Sequence, residues 1–153
     1  THVDTILHLR SLDLFAGLTT RQLAELARVV TERAVESGVT IVREGEFDDQ
    51  MYFIVDGQVR ITKEGAPVSA LGPGEFFGEI AVFDGERRSA SATSEGPVRL
   101  LRLDRQDLFE VMEEHPAIAV AICQTLSRRI RMLLDDRLDI GPIAAARKPA
   151  GDD

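Results

Sequence analysis

The stretch FGEIAVFDGERRSAS, from Phe77 to Ser91, decides the interpretation of this chain. It begins with a Gly-Glu pair, Gly78-Glu79, which three apolar residues follow at 80–82. Because glycine has no Cβ, the backbone N–H groups beside Gly78 can approach an anion closely. The apolar residues predict one helical turn whose free N–H groups point at the same anion. This part of the stretch therefore predicts an anion cradle.

Two charged side chains complete the predicted site. Arg88 follows Glu79 after nine residues, and its planar guanidinium offers donors that match two phosphate oxygens. The carboxylate of Glu79 only accepts hydrogen bonds, so it suits sugar hydroxyls and not the phosphate itself. Together they predict a pocket for a small sugar phosphate. In the alternative interpretation Gly78 makes a turn, Glu79 is solvated and Arg88 pairs with a surface acid.

This stretch resembles the phosphate-binding cassette of the cyclic nucleotide-binding domains, the catabolite activator protein and protein kinase A regulatory subunit type. The resemblance runs from about Leu9 to about Leu134, nearly the whole chain. It implies that Glu79 holds the ribose 2′-hydroxyl and that Arg88 holds the cyclic phosphate. It also implies that the rest of the cassette completes the cradle, namely Gly78, Ile80, Ala81, Ser89 and Ala90.

The resemblance further implies contacts for the base and a lid. It places Ile61 and Val68 against the base, although both also suit ordinary inward-facing core. Leu133 and Leu134 fall where a lid covers the purine, and dimer or core packing is the alternative for these leucines. Arg129 corresponds to a residue that reaches toward Glu79, with a solvated or dimer-edge position as the alternative.

The resemblance also bears on which cyclic nucleotide is bound. Serine at position 89 is compatible with cAMP, so we expect cAMP to be favoured over cGMP. Leucine side chains cannot form hydrogen bonds with the purine edge. The predicted lid therefore leaves the base selectivity poorly specified.

Hydrophobic periodicity divides the chain into a helical, a β-rich and a second helical part. Thr19-Thr20 can cap a helix, and from Glu32 the apolar period changes from about 3.6 to about two residues. Asp56-Gly57 lies between β-rich runs and predicts a two-residue hairpin turn. The segment Ser94–Pro97 predicts a further break between strands. From Arg105 the helical period returns.

These patterns predict an α+β fold, a roughly eight-stranded antiparallel β-roll flanked by N-terminal helices and a C-terminal helix pair. Pro116 separates the two C-terminal helices. We expect four parts: an N-terminal helical segment at 1–31, the roll at 32–104 with the cassette at 76–92, the C-terminal helices at 105–139, and a flexible tail at 140–153.

Composition limits the class of protein. The net charge of −8 disfavours a nucleic-acid-binding surface. The longest apolar run, 117–123, is far shorter than the ~20 residues of a membrane span, and no signal peptide opens the chain. The single cysteine, Cys123, fits a reducing, cytoplasmic location, and its apolar helical surroundings predict that it is buried.

The sequence does not supply the residues that a metal site in the roll, an iron–sulfur cluster or a helix-turn-helix would require. The three histidines are His2, His8 and His115, so none can serve a metal in the predicted roll, and one cysteine cannot hold a cluster. We therefore expect no enzyme, no metal and no catalytic cofactor. Only fourteen residues follow Asp139, which leaves no room for a helix-turn-helix, so we expect no nucleic-acid binding by this chain.

The expected function is that of a regulatory domain. It would sense cAMP and pass the signal through its C-terminal helix to a larger protein of which it is part. The chain opens on Thr1 and not on methionine, which agrees with removal from a larger parent. Two alternatives stay open: the effector-binding half of a transcription regulator, and a module of the same fold that only dimerises, with the C-terminal helix as the homodimer contact.

Overall fold

The computed structural model describes the backbone of residues 2–140 and the side chains of residues 3–136. The flexible tail expected at 140–153 lies outside the described residues, apart from Ile140, the last residue of a helix. In chain order the elements are α1 (His2–Arg10), a 3-10 turn (Asp13–Phe15), α2 (Thr20–Ala27), β1 (Thr31–Val35), β2 (Thr40–Val42), β3 (Gln50–Lys63), β4 (Ala66–Leu71), β5 (Phe76–Phe77), α3 (Glu79–Asp84), β6 (Ser91–Asp104), α4 (Arg105–Glu114) and α5 (Pro116–Ile140).

The strands form one antiparallel sheet of six strands among the described residues. The central pair is β3 and β6; β6 also pairs with β1 and β2, while β3 also pairs with β4 and β5. The predicted α+β fold is confirmed, with helices before and after the β-rich part of the chain. The prediction of eight strands is wrong, and the sheet is not closed.

The predicted hairpin turn at Asp56-Gly57 is wrong because this pair lies inside the continuous strand β3. The register between β3 and β6 shifts on both sides of Asp56, so the pair forms a bulge. Gly57 has φ 98°, and a Cβ there would lie 2.5 Å from the carbonyl oxygen of Pro97. The glycine is therefore needed for close strand contact and a left-handed conformation, and not for a chain reversal.

The second predicted break, at Ser94–Pro97, also lies inside one strand, β6. The side chain of Ser94 is buried; its Oγ donates to the carbonyl oxygen of Glu36 at 2.6 Å and accepts from the backbone N–H of Val39 at 2.9 Å. The polar residue therefore holds the connection between β1 and β2. Each of the two corrections merges a pair of predicted strands into one.

Two hydrophobic clusters lie on opposite faces of β3, because side chains alternate along a strand. Met51 and Phe53 pack in the first cluster with the helices. Tyr52 and Ile54 pack in the second cluster, inside the roll. This division explains why a run of four consecutive residues of β3 is buried.

The structure has a helix cap at Thr19, and α5 begins at Pro116. Thr19 caps α2 as expected: its side chain accepts from the N–H of Gln22, and the Gln22 side chain accepts from the N–H of Thr19. In α5, Ile118 and Ile122 are buried against the first cluster. Cys123 is exposed, so the prediction of its burial is wrong; it lies one position beyond the buried stripe of a helix with 3.6 residues per turn. Among the described residues no helix is long and apolar enough to cross a membrane.

Candidate functional site

A cavity of about 430 Å³ lies between the sheet and α3. Its lining combines polar residues, among them the Gly-Glu pair and Arg88, with apolar residues of the strands. A cavity of this size suits a single small ligand. Its lining contains every residue predicted for the cassette: Gly78, Glu79, Ile80, Ala81, Arg88, Ser89 and Ala90.

Gly78 is the turning point between β5 and α3. It caps α3 with φ 88°, a left-handed conformation that L-residues rarely adopt. A Cβ at this position would lie 2.8 Å from Arg88 Nη1 and 2.9 Å from the carbonyl oxygen of Gln50. Its position at the start of α3 leaves the first backbone N–H groups of that helix without partners in the helix. The glycine thus allows both the turn and the close approach of Arg88.

Arg88 is a buried cation, with 3% of its surface exposed. Its Nη1 donates to the carbonyl oxygen of Gly78 at 2.9 Å, and its Nη2 donates to the carbonyl oxygen of Gln50 and lies 3.0 Å from Asp48 Oδ2. These contacts occupy three of the five guanidinium donors and leave two, one of them the buried Nε, which has no partner among the described residues. Arg88 therefore pairs with an acid, as the alternative interpretation expected. It also keeps donors that have no partner among the described residues.

Glu79 begins α3 and lines the cavity. Its Oε2 is buried and has no hydrogen-bond partner in the part of the chain that the structure describes. Burial raises the pKa of this carboxyl above its ordinary value, and the shift is opposed by its backbone hydrogen bond and by the charges of Arg129 and Arg88. A buried acceptor with no partner is costly, and a ligand hydroxyl would satisfy it.

Arg129 reaches the cavity from α5. Its guanidinium carbon lies 4.2 Å from the centre of the Phe76 ring, and its Nε lies 3.5 Å from Asp13 Oδ2. The structure therefore brings Arg129 to the same cavity as Glu79. It does not bring Leu133 and Leu134 there: they are 64% and 50% exposed, and of the described α5 residues only Arg129 lines the cavity.

Both residues predicted to contact the base line the cavity. Ile61 is partly buried, while Val68 is 61% exposed at the rim of the cavity. Sequence reasoning missed Asp48, because no local sequence pattern identifies an acidic partner forty residues before Arg88. It also missed Lys63, although the period of two along β3 puts this residue on the same face as Ile61. The other lining residues that were not predicted are Val42, Ser69, Leu71, Phe76, Phe77, Ser91 and Ala92.

Comparison with known proteins agrees with this geometry. The family model described as cyclic nucleotide-binding domain matches residues 32–115. The chain belongs to the cyclic nucleotide-binding domain family. The resemblance inferred from the cassette is thereby confirmed, and the matched region of the domain contains β1 to α4, with all of the cassette.

Relatives of the domain occur in different proteins. A cyclic nucleotide-gated potassium channel of Rhizobium etli is 40% identical over 116 residues, which cover 76% of this chain and 32% of the channel. A CRP-like cAMP-activated global transcriptional regulator of Mycobacterium tuberculosis is 30% identical over 133 residues, covering 83% of this chain and 59% of the regulator. The domain thus spans less than two thirds of the length of either relative.

Among solved structures, the catabolite activator protein of Thermus thermophilus superposes with a TM-score of 0.72 at 32% identity. The match covers 84% of this chain and 62% of that chain. The fold of the chain is therefore that of a cyclic nucleotide-binding domain.

Proposed function

We propose that this chain is a regulatory domain that binds cAMP in preference to cGMP and passes the signal through α5. The observation that carries the proposal is that Glu79 and Arg88 line the same cavity and that each has a buried polar atom, Oε2 and Nε, with no partner among the described residues. A cyclic nucleotide offers a hydroxyl donor for the first and an anionic acceptor for the second. Serine at position 89 supports cAMP as the ligand.

The proposed binding mode uses the polar residues of the cavity lining. The two free donors of Arg88 and the first N–H groups of α3 bind the cyclic phosphate. Glu79 accepts the ribose 2′-hydroxyl in its ionised form. Arg129 and Arg88 stabilise that form, since both lower the pKa of Glu79 against the effect of burial. The base then lies against the apolar lining residues Ile61 and Val68.

Calorimetric titration with cAMP, cGMP and 2′-deoxy-cAMP tests this mode. We expect wild type to bind cAMP most tightly and to lose affinity for the 2′-deoxy ligand, because Glu79 then loses its donor. Glu79→Ala should bind cAMP and 2′-deoxy-cAMP about equally, which gives a coupling of about 1 kcal/mol or more in the double cycle. Additive losses would show that Glu79 does not contact the ribose. No heat at millimolar ligand, with the fold intact, would contradict nucleotide binding itself.

Signal transfer through α5 rests on Arg129. This residue belongs to α5, lines the cavity and contacts Phe76 and Asp13, so a ligand beside Glu79 changes the charges that hold the helix. In the proposed bound state α5 moves so that Leu133 and Leu134 cover the base, and the ligand favours that packing through its contacts with them. The exposed position of both leucines leaves their side chains available for the proposed contact with the base.

Hydrogen exchange with and without cAMP tests the transfer. We expect slower exchange both in the cassette, 76–92, and in α5, 117–136, because ligand and lid protect each other. Arg88→Ala with the same cAMP concentration is the control and should show no change in α5. Protection confined to the cassette would leave a binding domain without the proposed output.

What the domain regulates depends on the larger protein of which it is proposed to be part. Channel and transcription-regulator relatives make the effector-binding half of a transcription regulator a second candidate. A domain that only dimerises is less well supported. Such a role gives no reason for a cavity lined by Glu79 and Arg88, each with a buried atom that has no partner in the described part of the chain.

A further inference from the structure

The orientation of Arg88 is set in part by the start of β3. Its Nη2 donates to the carbonyl oxygen of Gln50 and lies 3.0 Å from Asp48 Oδ2. These two acceptors are themselves connected, because the backbone N–H of Gln50 donates to Asp48 Oδ1 at 3.2 Å. A guanidinium is a rigid plane, so the position of its acceptors also fixes the direction of the donors that remain free. Gln50 therefore contributes to both contacts of Arg88 Nη2.

The side chain of Gln50 is held in turn by Tyr52, two residues further along β3 and on the same face of the strand. The Tyr52 hydroxyl donates to Gln50 Oε1 at 3.0 Å and accepts from Arg33 Nη1 at 3.1 Å. Burial raises the pKa of the Tyr52 phenol above its ordinary value, against the charge of Arg33, so the hydroxyl stays neutral and can donate to Gln50. The hydroxyl is thus both donor and acceptor at this position.

Tyr52 also supports a wall of the cavity. It is buried, and its ring stacks on the ring of Phe77 with the ring centres 5.4 Å apart and the planes inclined by 20°. Phe77 pairs with Tyr52 in the sheet, lines the cavity and immediately precedes Gly78. Tyr52 is not among the described residues that line the cavity, so its effect on a ligand passes through these contacts.

We propose that Tyr52 is a positioning residue of the cyclic nucleotide site, which holds the guanidinium of Arg88 toward the phosphate through Gln50. This inference rests on the proposed function. With the bond between Tyr52 and Gln50 in place, the start of β3 keeps both acceptors of Arg88 Nη2 fixed. The free donors of Arg88 then keep one direction before the ligand arrives. Such preorganisation raises the affinity, because less conformational freedom is lost on binding.

The test uses variants that remove this one bond. Tyr52→Phe keeps the ring and its stacking on Phe77 but loses the hydroxyl, and Gln50→Leu loses the side-chain acceptor but keeps the backbone N–H and carbonyl. The double variant completes the cycle. Leu23→Val is the control for a general loss of stability, because Leu23 is buried among the helices in the first cluster and is not one of the described cavity-lining residues.

Calorimetric titration with cAMP and with its two phosphorothioate diastereomers gives the readout. Each diastereomer replaces a different exocyclic phosphate oxygen by sulfur, which is a weaker hydrogen-bond acceptor. The ratio of the two affinities therefore reports where the donors of Arg88 lie relative to the phosphate. A mere loss of stability does not change this ratio.

We expect wild type to prefer one diastereomer. Tyr52→Phe should lower the affinity for cAMP about fivefold, the size of one hydrogen bond, and should bring the ratio closer to one. Gln50→Leu should do the same, and the double variant should show no further loss, because both substitutions break the same bond. Leu23→Val should keep the affinity and the ratio of wild type.

Three results would overturn this inference while leaving the proposed function standing. They are additive losses in the cycle, a ratio that is unchanged in Tyr52→Phe or already near one in wild type, and the same change of ratio in Leu23→Val. Failure of wild type to bind cAMP would overturn both the inference and the proposed function.

Discussion

Replacement of Arg88 by alanine is expected to lower the affinity for cAMP by more than about a hundredfold. In the proposed binding mode the substitution removes two charge-assisted hydrogen bonds to the phosphate, each contributing about 1.5–3 kcal/mol. Calorimetric titration measures the loss. Arg87→Ala is the matched control, because the neighbouring Arg87 is exposed and contacts only the Phe47 ring and the carbonyl oxygen of Gly45 among described residues. It should bind cAMP as wild type does.

The same substitution is expected to lower stability, which the titration must take into account. Asp48 and the carbonyl oxygens of Gly78 and Gln50 lose their common partner when the guanidinium is removed. Thermal unfolding should therefore show a lower Tm for Arg88→Ala than for Arg87→Ala. Arg88→Lys keeps the charge and helps to separate the two effects. An Arg88→Ala protein that folds and binds cAMP within threefold of wild type would contradict the proposed role.

Gly78→Ala is expected to be the most destabilising single methyl addition in the cassette. At φ 88° an alanine costs about 1–2 kcal/mol from backbone strain alone. Its Cβ would also lie 2.8 Å from Arg88 Nη1 and 2.9 Å from the carbonyl oxygen of Gln50, which adds an overpacking cost of about 1–3 kcal/mol. Urea unfolding measures the total, which we expect to be about 3 kcal/mol.

Gly74 provides a control with the same backbone geometry. Its φ is also 88°, but a Cβ there meets no atom within 4 Å among the described residues. Gly74→Ala should therefore show the strain cost alone, about 1–2 kcal/mol. Equal losses for the two variants would mean that the contact of Gly78 with Arg88 imposes no steric constraint. Gly78→Ala should also lower the affinity for cAMP, because the added Cβ displaces the guanidinium of Arg88.

The cassette could be predicted from the sequence because its chemistry is local. Gly78, Glu79 and Arg88 lie within eleven residues, so their residue types and spacing are visible in the sequence without knowledge of the fold. The partner of Arg88 could not be predicted in this way. Asp48 is one of several acids in its loop, and only the packed fold selects it.

The strand count failed for a related reason. Asp56-Gly57 has the composition of a hairpin turn, but the same positive φ serves a bulge where a second strand approaches. Which of the two occurs depends on Pro97, forty residues later in the chain. The lid leucines could be placed on the last helix by periodicity, whereas the contact of that helix with the cavity is set by Arg129 and its partners.

The alternation of β3 between two hydrophobic clusters has a consequence for how such a domain can change over time. The apolar wall of the cavity draws on the cluster inside the roll, through residues such as Ile61, Phe77 and Ala92. Met51 and Phe53, on the other face, hold the helices. Substitutions at distant sites with no shared partners act nearly independently. Selection can therefore alter the cavity at Ile61 or Ala92 while the attachment of the helices is inherited unchanged. A change at Phe76 would affect both, because Phe76 lines the cavity and belongs to the cluster that holds the helices.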